Sequence, residues 1–534
     1  MRRWNGWGDE SVETSLPPRA RELLETLIGP GTPPRDATLD DVVSAVPASR
    51  LSRADPALDD DPRTRVRHAR GQSLPDWVAV RSGRLGSVPD AVARPSSAAA
   101  VRDLMAVGAR TGAALLPYGG GTSVVGGVTT RPSDRPVVAV DMSATTGLHA
   151  IDEASGLATF GAGTTGPDIE AALGPLGLTL GHYPQSFELS TVGGWVVTRS
   201  AGQQSRGFGR IEDLFAGGHL ETPRGPFDIR AYPASAAGPD LREIVLGSEG
   251  RLGILTEVTV RASTTPRLER FNGYLVPDWD GALQLARRLA RSGLPLSMVR
   301  VSTPLETATT FALAGDSRPT GLLRRYLGWR GMGPERCLAI VGLTGDPGVV
   351  GAAARAVDDL VRGSKGIAGP GVGSAWRHAR FSTPYLRNAL WDAGYAVDTV
   401  ETATDWTTLP DLAAELGRTL RHGLEGTTER VHAFSHLSHG YPSGSSLYTT
   451  YVFRLATDPD ETLERWRTLK TAASRVIVEH GATITHQHGV GADHAPYLAA
   501  EKGVLGMDAI DALVRTFDPD GTMARGVLLE DGPP

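Results

Sequence analysis

Two stretches concentrate residue types that move protons. "HLSHGYPSGSSLYTTYVF" sets Tyr441 and Tyr448 seven residues apart, and "THQHGVGADHAPYL" places His486, His488 and His494 around a glycine turn. Phenol and imidazole groups act as general acids and bases, each contributing about 10²–10⁴-fold when positioned. His-x-His beside glycine is also a spacing that metal sites use, and with His432, His436 and His439 it would suit a hydrolytic zinc centre. Any one of these histidines, taken singly, reads equally as a hydrogen-bonded core or surface residue.

A different chemistry is suggested by "LPYGGGTSVVGG", where an apolar run ends in bare backbone. Glycines at a strand end let N–H groups converge on an anion, and Thr122 and Ser123 add hydroxyl donors. No lysine follows the glycines, which excludes the P-loop form. Alone, the run is a phosphate-binding loop or a plain turn. A second run, Gly161-Ala162-Gly163-Thr164-Thr165-Gly166, fits G-x-G-x-x-G. The carboxylate that should follow, Glu188, lies in "SFELST" rather than at the end of a second parallel strand, so we read this run as a tight structural turn. The segment at 181–214 and "GSEGRLGILTEVTV" carry hydroxyls and glycines but few charges, as a long neutral ligand with a diphosphate centre would require.

These residues must be held by alternating elements. Residues 1–86 read as an irregular, partly helical leading segment with a helix at Pro18 to Leu27. Residues 87–262 follow as a glycine-rich domain. In it "SSAAAVRDLMAVGARTG" has the apolar spacing of a helix closed by Gly112, before the strand "AALLPY". Further helices are expected at Gly166 to Gly174, Gly281 to Ser292, Asp411 to His422 and Asp460 to His480, with a strand at "LYTTYVFRLA". Residues 263–505 form a second domain, and 506–534 a helix with a turn-rich tail returning to the first. The class is α+β.

Composition narrows the partners. At 534 residues with 40% apolar content, several cores can be buried. A net charge of −6 provides no basic surface for nucleic acid. The single cysteine, Cys337, excludes an internal disulfide and multi-thiolate metal sites and fits a reducing cytoplasm. No apolar run reaches the ~18–20 residues of a membrane span. The opening "MRRWNGWGDE" has no apolar stretch behind its arginines, so the expected location is cytoplasmic, with membrane association left open.

Four stretches, "PYGGGTSV", "GHYPQSFELSTVGGWVVTRSAG", "GSEGRLGILTEVTV" and the leading "RWNGWG", together resemble the vanillyl-alcohol-oxidase family of flavoproteins, and within it the alkyldihydroxyacetonephosphate synthase branch. The likeness runs from Trp4 to about Leu529. It implies a two-domain FAD-binding fold with an α/β cap domain over the substrate, and non-covalent FAD. Pro117, Tyr118, Gly119, Gly120, Gly121, Thr122 and Ser123 would wrap the diphosphate. Gln185, Ser186, Phe187, Glu188, Leu189, Ser190 and Thr191 would line the remainder, together with Thr198, Arg199, Ser200 and Ala201. Glu249, Gly250, Arg251, Leu252, Gly253, Ile254 and Leu255 complete the implied cofactor set. No metal is implied.

The same resemblance assigns acid–base work to Tyr448, His486 and His488, substrate holding to Arg387, and a second activity-bearing arginine to Arg300. Read without it, either arginine is a surface charge or an ion pair, although a guanidinium suits phosphate bidentately. This chain departs at Gln487, where the branch has a third histidine; a carboxamide cannot exchange a proton near neutral pH. It departs again at Met523-Ala524-Arg525-Gly526, where relatives read Asn-Pro-Gly.

The implied reaction is alkylglycerone-phosphate synthesis, in which a long-chain alcohol replaces the acyl group of acyl-dihydroxyacetone phosphate through a flavin N5 adduct. Alternatives are an FAD-dependent oxidase or dehydrogenase of a 2-hydroxy acid or alcohol, and a silent flavin-binding partner protein. The expected partners are thus a phosphate-bearing ketone and a long-chain alcohol or other small organic substrate, not nucleic acid, with peripheral membrane contact and a homodimer left open.

Overall fold

In the computed structural model, which describes residues 2–51, 55, 57–313, 328, 332–369 and 371–529, Ser97 accepts the Ala100 N–H and opens the helix Ala98–Thr111. Gly112 closes it at φ 70°, a left-handed cap that favours glycine. The chain then enters the strand Ala114–Tyr118, which runs parallel to Val137–Asp141, itself parallel to Ala91–Ala93. Val101, Leu104, Leu115, Val138 and Val140 bury the helix against this small sheet. Tyr118 and the glycine turn therefore emerge from a rigid strand end.

Among the described residues, a five-stranded antiparallel sheet follows. Its order is Leu148–Asp152, Leu157–Gly161, Ile254–Arg261, Phe215–Thr222 and Gly225–Ile229. The helices Gly166–Leu173 and Val192–Thr198 pack on it through Ile169, Leu173, Val192 and Trp195, against the fully buried Phe160 and Phe215. Burying a side chain of this size stabilises by about 1.5–3 kcal/mol. Because Leu157–Gly161 pairs antiparallel with both neighbours, the G-x-G-x-x-G run does not open a parallel dinucleotide-binding unit.

The third sheet has seven strands among the described residues, every neighbouring pair antiparallel. The helices Trp279–Arg291, Leu409–His422 and Pro459–Glu479 bury Leu285, Leu289, Leu416, Leu420, Leu469 and Ala473 with Leu437, Leu447, Tyr451 and Phe453 of one sheet face. Side chains alternate along strands, so Arg300, His436, Tyr448 and Glu401 fall on the opposite face. Register puts three of them in one row: Tyr448 stands opposite His436 on one neighbouring strand and Glu401 on the other.

Three differences from the sequence reading concern the two ends and one domain boundary. The leading segment is more ordered than expected, with helices Pro18–Ile28, Leu39–Ser44, Pro62–Arg67 and Leu74–Ser82. Two have capping boxes, at Thr38 and Ser73. The last helix starts earlier than expected, at Ala495, and runs to Phe517 with a break at Gly503 (φ 68°, ψ 172°). Beyond it Met523 bridges in parallel to Leu115, so the tail returns to the strand that carries the glycine turn; residues 530–534 lie outside the described residues. Ser263–Thr264 pairs with Leu178–Thr179, so pairing crosses the expected 262/263 boundary.

Candidate functional site

The glycine turn is shaped by close backbone approach. A Cβ on Gly120 would sit 1.9 Å from the Leu189 carbonyl oxygen, one on Gly119 2.6 Å from Thr191 Oγ1, and one on Gly250 2.9 Å from Pro117 Cγ. The stretches at 117–123, 185–191 and 249–255 thus meet at their glycines, and bare backbone is demanded by the protein's own packing as much as by any ligand.

Beside them lies a cavity of about 300 Å³ whose lining includes Tyr118, Gly119, Gly120, Leu189 and Thr191. His68 also lines it, and Arg2, Arg67 and Arg70 supply cations that the local motif lacks. Arg2 donates to the Gly121 carbonyl at 3.1 Å and lies over the Tyr118 ring. Gly163 and Thr165 line the same cavity, so the turn read as merely structural borders the site as well. A glycine cradle ringed by arginines fits the diphosphate of FAD.

Several residues of the implied cofactor set spend their side chains on the protein. Ser123 Oγ accepts from the Gly127 N–H, Ser190 Oγ from Trp195 Nε1, and Thr191 Oγ1 from the Gly194 N–H. Thr198 Oγ1 donates to the Gly194 carbonyl, and Ser200 Oγ pairs with His182 Nε2. Phe187 stacks on Phe381, and Glu188 accepts from the Tyr385 hydroxyl at 3.0 Å. Arg199, at φ 53°, pairs with Glu243, while Arg251 donates to the Val527 carbonyl. Leu252, Ile254 and Leu255 are core residues. Contact between these positions and a cofactor would run through backbone.

The second face is built from side chains. Glu306 accepts from Arg300 at 2.7 Å and from His436 Nδ1 at 2.9 Å, and the His436 ring stacks on Tyr448 with centroids 5.0 Å apart. Burial pushes the Glu306 carboxyl up, but His436 and Arg300 outweigh it and hold it down at about 2. Arg300 therefore acts behind Tyr448, through His436. Burial pushes Tyr448 up to about 12, keeping the phenol protonated. His488 meets Tyr448 edge to face at 5.6 Å, and burial lowers its pKa.

The loop bearing His486, Gln487 and His488 is gripped from both sides. Glu401, buried on the sheet, accepts the backbone N–H groups of all three at 2.8–3.1 Å and the Thr485 hydroxyl at 2.7 Å. From the glycine-rich half, Glu249, at φ 50°, accepts the N–H groups of Val490 and Gly491. Burial raises its pKa to about 7. Glu249 thus joins the two halves through its side chain.

Arg387 is the open group. Its guanidinium lies 4.3 Å over the Trp77 ring and donates to the Gln72 carbonyl, while Nε and one terminal nitrogen are buried without a hydrogen-bond partner. Burial lowers its pKa to about 10, so it remains a cation, and Tyr448 is among the groups acting on it electrostatically. Unmet donors on a buried cation suit an incoming phosphate.

Among the described residues no group of three or more His, Cys, Asp or Glu side chains could hold a metal. His432 pairs with Thr309, His436 with Glu306 and Arg300, and His486 with Arg210 and Tyr441, so the zinc reading finds no cluster. Glu401, Glu306 and Arg210 were not singled out from the sequence, because each meets its partners across more than one element. Met523 is buried, and the Ala524 N–H donates to the Leu115 carbonyl, so the tail that lacks Asn-Pro-Gly is tied down by backbone. No described helix is long and apolar enough to cross a membrane.

Comparison with known proteins adds to this geometry. Residues 89–227 match the family described as FAD binding domain, and 265–528 that described as FAD linked oxidases, C-terminal domain. The chain is 28% identical to an alkyldihydroxyacetonephosphate synthase of Dictyostelium discoideum, over 97% of this chain and 91% of that one. It is also 28% identical to one of Trypanosoma brucei brucei, over 89% and 78%. A solved alkyldihydroxyacetonephosphate synthase superposes with a TM-score of 0.83 at 26% identity, covering 98% of both chains. A p-cresol methylhydroxylase, at 14% identity and a TM-score of 0.67 over 92% of this chain and 96% of that one, shares the fold.

Proposed function

From the premise that this chain is an alkyldihydroxyacetonephosphate synthase-like FAD-binding protein of the vanillyl-alcohol-oxidase family, we propose that it exchanges the acyl group of acyl-dihydroxyacetone phosphate for a long-chain alcohol. The observation that carries this is Arg387, a buried guanidinium over the Trp77 ring with two donors unmet. FAD, held by the glycine cradle at Tyr118, Gly119 and Gly120, would supply a nucleophilic ring nitrogen without net oxidation.

The protein's residues do the remainder. Arg387 holds the substrate phosphate and fixes the distance from phosphate to reacting carbon. Tyr448, kept protonated by burial, donates its proton to a leaving or developing oxyanion and recovers it from the entering alcohol. His488, edge-on to Tyr448 and neutral, accepts a proton on the other side of the same exchange. Arg300 and Glu306 orient His436 beneath the Tyr448 ring.

Incubating FAD-loaded protein with C1-deuterated acyl-dihydroxyacetone phosphate and hexadecanol tests the reading. Fatty acid release and loss of label to water, with the flavin remaining oxidised, are expected. Anaerobic bleaching by a 2-hydroxy acid, without exchange, would replace it by the oxidase reading.

A further inference from the structure

His486 is held in one tautomer by Tyr441 and by Arg210, which the sequence did not single out. Arg210 reaches it twice, with one terminal nitrogen 2.8 Å from His486 Nε2 and the other donating to the His486 carbonyl at 2.9 Å. Tyr441 Oη lies 2.6 Å from the same Nε2 and accepts from Arg210 at 3.1 Å. A guanidinium only donates. At 2.8 Å a protonated Nε2 would set two N–H groups head to head, so Nε2 carries the lone pair and the ring proton sits on Nδ1.

That Nδ1–H makes no hydrogen bond of good geometry, although the residue is only 7% exposed; the adjoining Gln487 side chain, whose Oε1 is likewise buried without a partner, is the competing acceptor within the protein. Its nearest carboxylate, Glu401 Oε2, stands 3.8 Å away and is taken up by backbone donors. A buried donor without an acceptor is unfavourable, and a bound molecule can complete it.

We propose that Arg210 and Tyr441 are positioning residues that fix His486 as a neutral Nδ1–H donor to an oxygen of the bound ketone phosphate, which leaves proton exchange to Tyr448 and His488. This rests on the synthase reading for the identity of the acceptor, not for the tautomer. Burial and the cationic or imidazole groups around the ring favour the neutral state, while Gln487 and the Glu401 carboxylate pull the other way. Arg210, itself paired with Glu212 at 2.8 Å, faces Nε2 with Tyr441. His439 lies with its centroid 5.0 Å away, and His488, Gln487 and Glu401 complete the surroundings. Burial, then His439 and Arg210, drive the His486 pKa well down.

The test is ¹⁵N-histidine NMR of the FAD-loaded protein, with His486 identified by the signal missing from His486→Gln. The expected pattern is a protonated Nδ1 and bare Nε2 that do not titrate between pH 8 and pH 5. In Arg210→Met, Nε2 should become titratable in that range, and exchange should slow at least about tenfold, since loss of one positioned donor to a reacting oxygen costs up to about 10²–10³. Tyr441→Phe should shift the resonance in the same direction by less. A wild-type His486 protonated on Nε2, or titrating near pH 6.5, overturns the proposal even should Arg210→Met fail to fold. A correct tautomer in protein that shows no exchange would sink the synthase reading and leave this assignment standing.

Discussion

Around Gly120 the chain brings backbone against backbone, whereas around Tyr448 it brings side chain against side chain. In the first region the geometry comes from the absence of Cβ atoms and from arginines contributed by the distant leading segment. In the second it comes from buried carboxylates, Glu306 and Glu401, that orient His436 and the loop bearing His486. Damage to the cradle should therefore remove the cofactor, and damage to the sheet face should remove turnover while the cofactor remains.

The largest expected effect breaks the cradle. Gly120→Ala places a methyl 1.9 Å from the Leu189 carbonyl oxygen, and neither backbone can yield cheaply. The variant should purify colourless and stay so after incubation with FAD. A stoichiometric yellow variant would mean that the three glycine stretches are not where the diphosphate lies. Next comes Tyr448→Phe, which should reduce exchange by about 10²–10⁴-fold with an unchanged flavin spectrum. Loss of FAD from this variant would erase the distinction between the regions.

The same contrast explains what the sequence disclosed. "PYGGGTSV" and the helix before it were legible because backbone chemistry is local: strand, glycines and cap follow one another in the chain. Tyr448 and the His486–His488 run were legible by residue type, and Arg387 by resemblance. The grip of Glu401 on three consecutive N–H groups was not legible, since Glu401 is 85 residues from His486 in sequence and an isolated glutamate carries no spacing signal. Arg2 lay hidden for the same reason, 119 residues from Gly121. The G-x-G-x-x-G run misled in a smaller way: its glycines do serve packing, yet Gly163 and Thr165 also border the cavity.

A third prediction sharpens the comparison through pH. His432, buried on the sheet with Thr309, has its pKa lowered from 6.5 to about 4 by burial and then by Arg421. The unfolded chain therefore binds this proton first as pH falls. Stability is complete above pH 6.5 and is lost progressively down to about pH 4, a contribution of roughly 3 kcal/mol from this group. His432→Gln should flatten that part of the acid limb, read as the difference in apparent Tm between pH 7 and pH 4.5. An identical acid limb in variant and wild type would show that His432 titrates alike in both states.

The smallest effect belongs to Arg2→Ala. Removing a half-buried guanidinium that donates to Gly121 should raise the Kd for FAD about two- to fivefold, the scale of a solvent-accessible charge contact. Exchange by the FAD-saturated variant should be unaltered. A change in turnover at saturating FAD would show that the leading segment reaches the reaction face as well.

One flavin-loaded chain is expected to swap acyl for alkyl with no net oxidation. Mass spectrometry of the products from acyl-dihydroxyacetone phosphate and ¹⁸O-labelled hexadecanol decides it directly. The prediction is an ether product that keeps the ¹⁸O, equimolar unlabelled fatty acid, and a flavin still oxidised at the end. Hexadecanol returned intact, with the flavin bleached by another substrate, would contradict it.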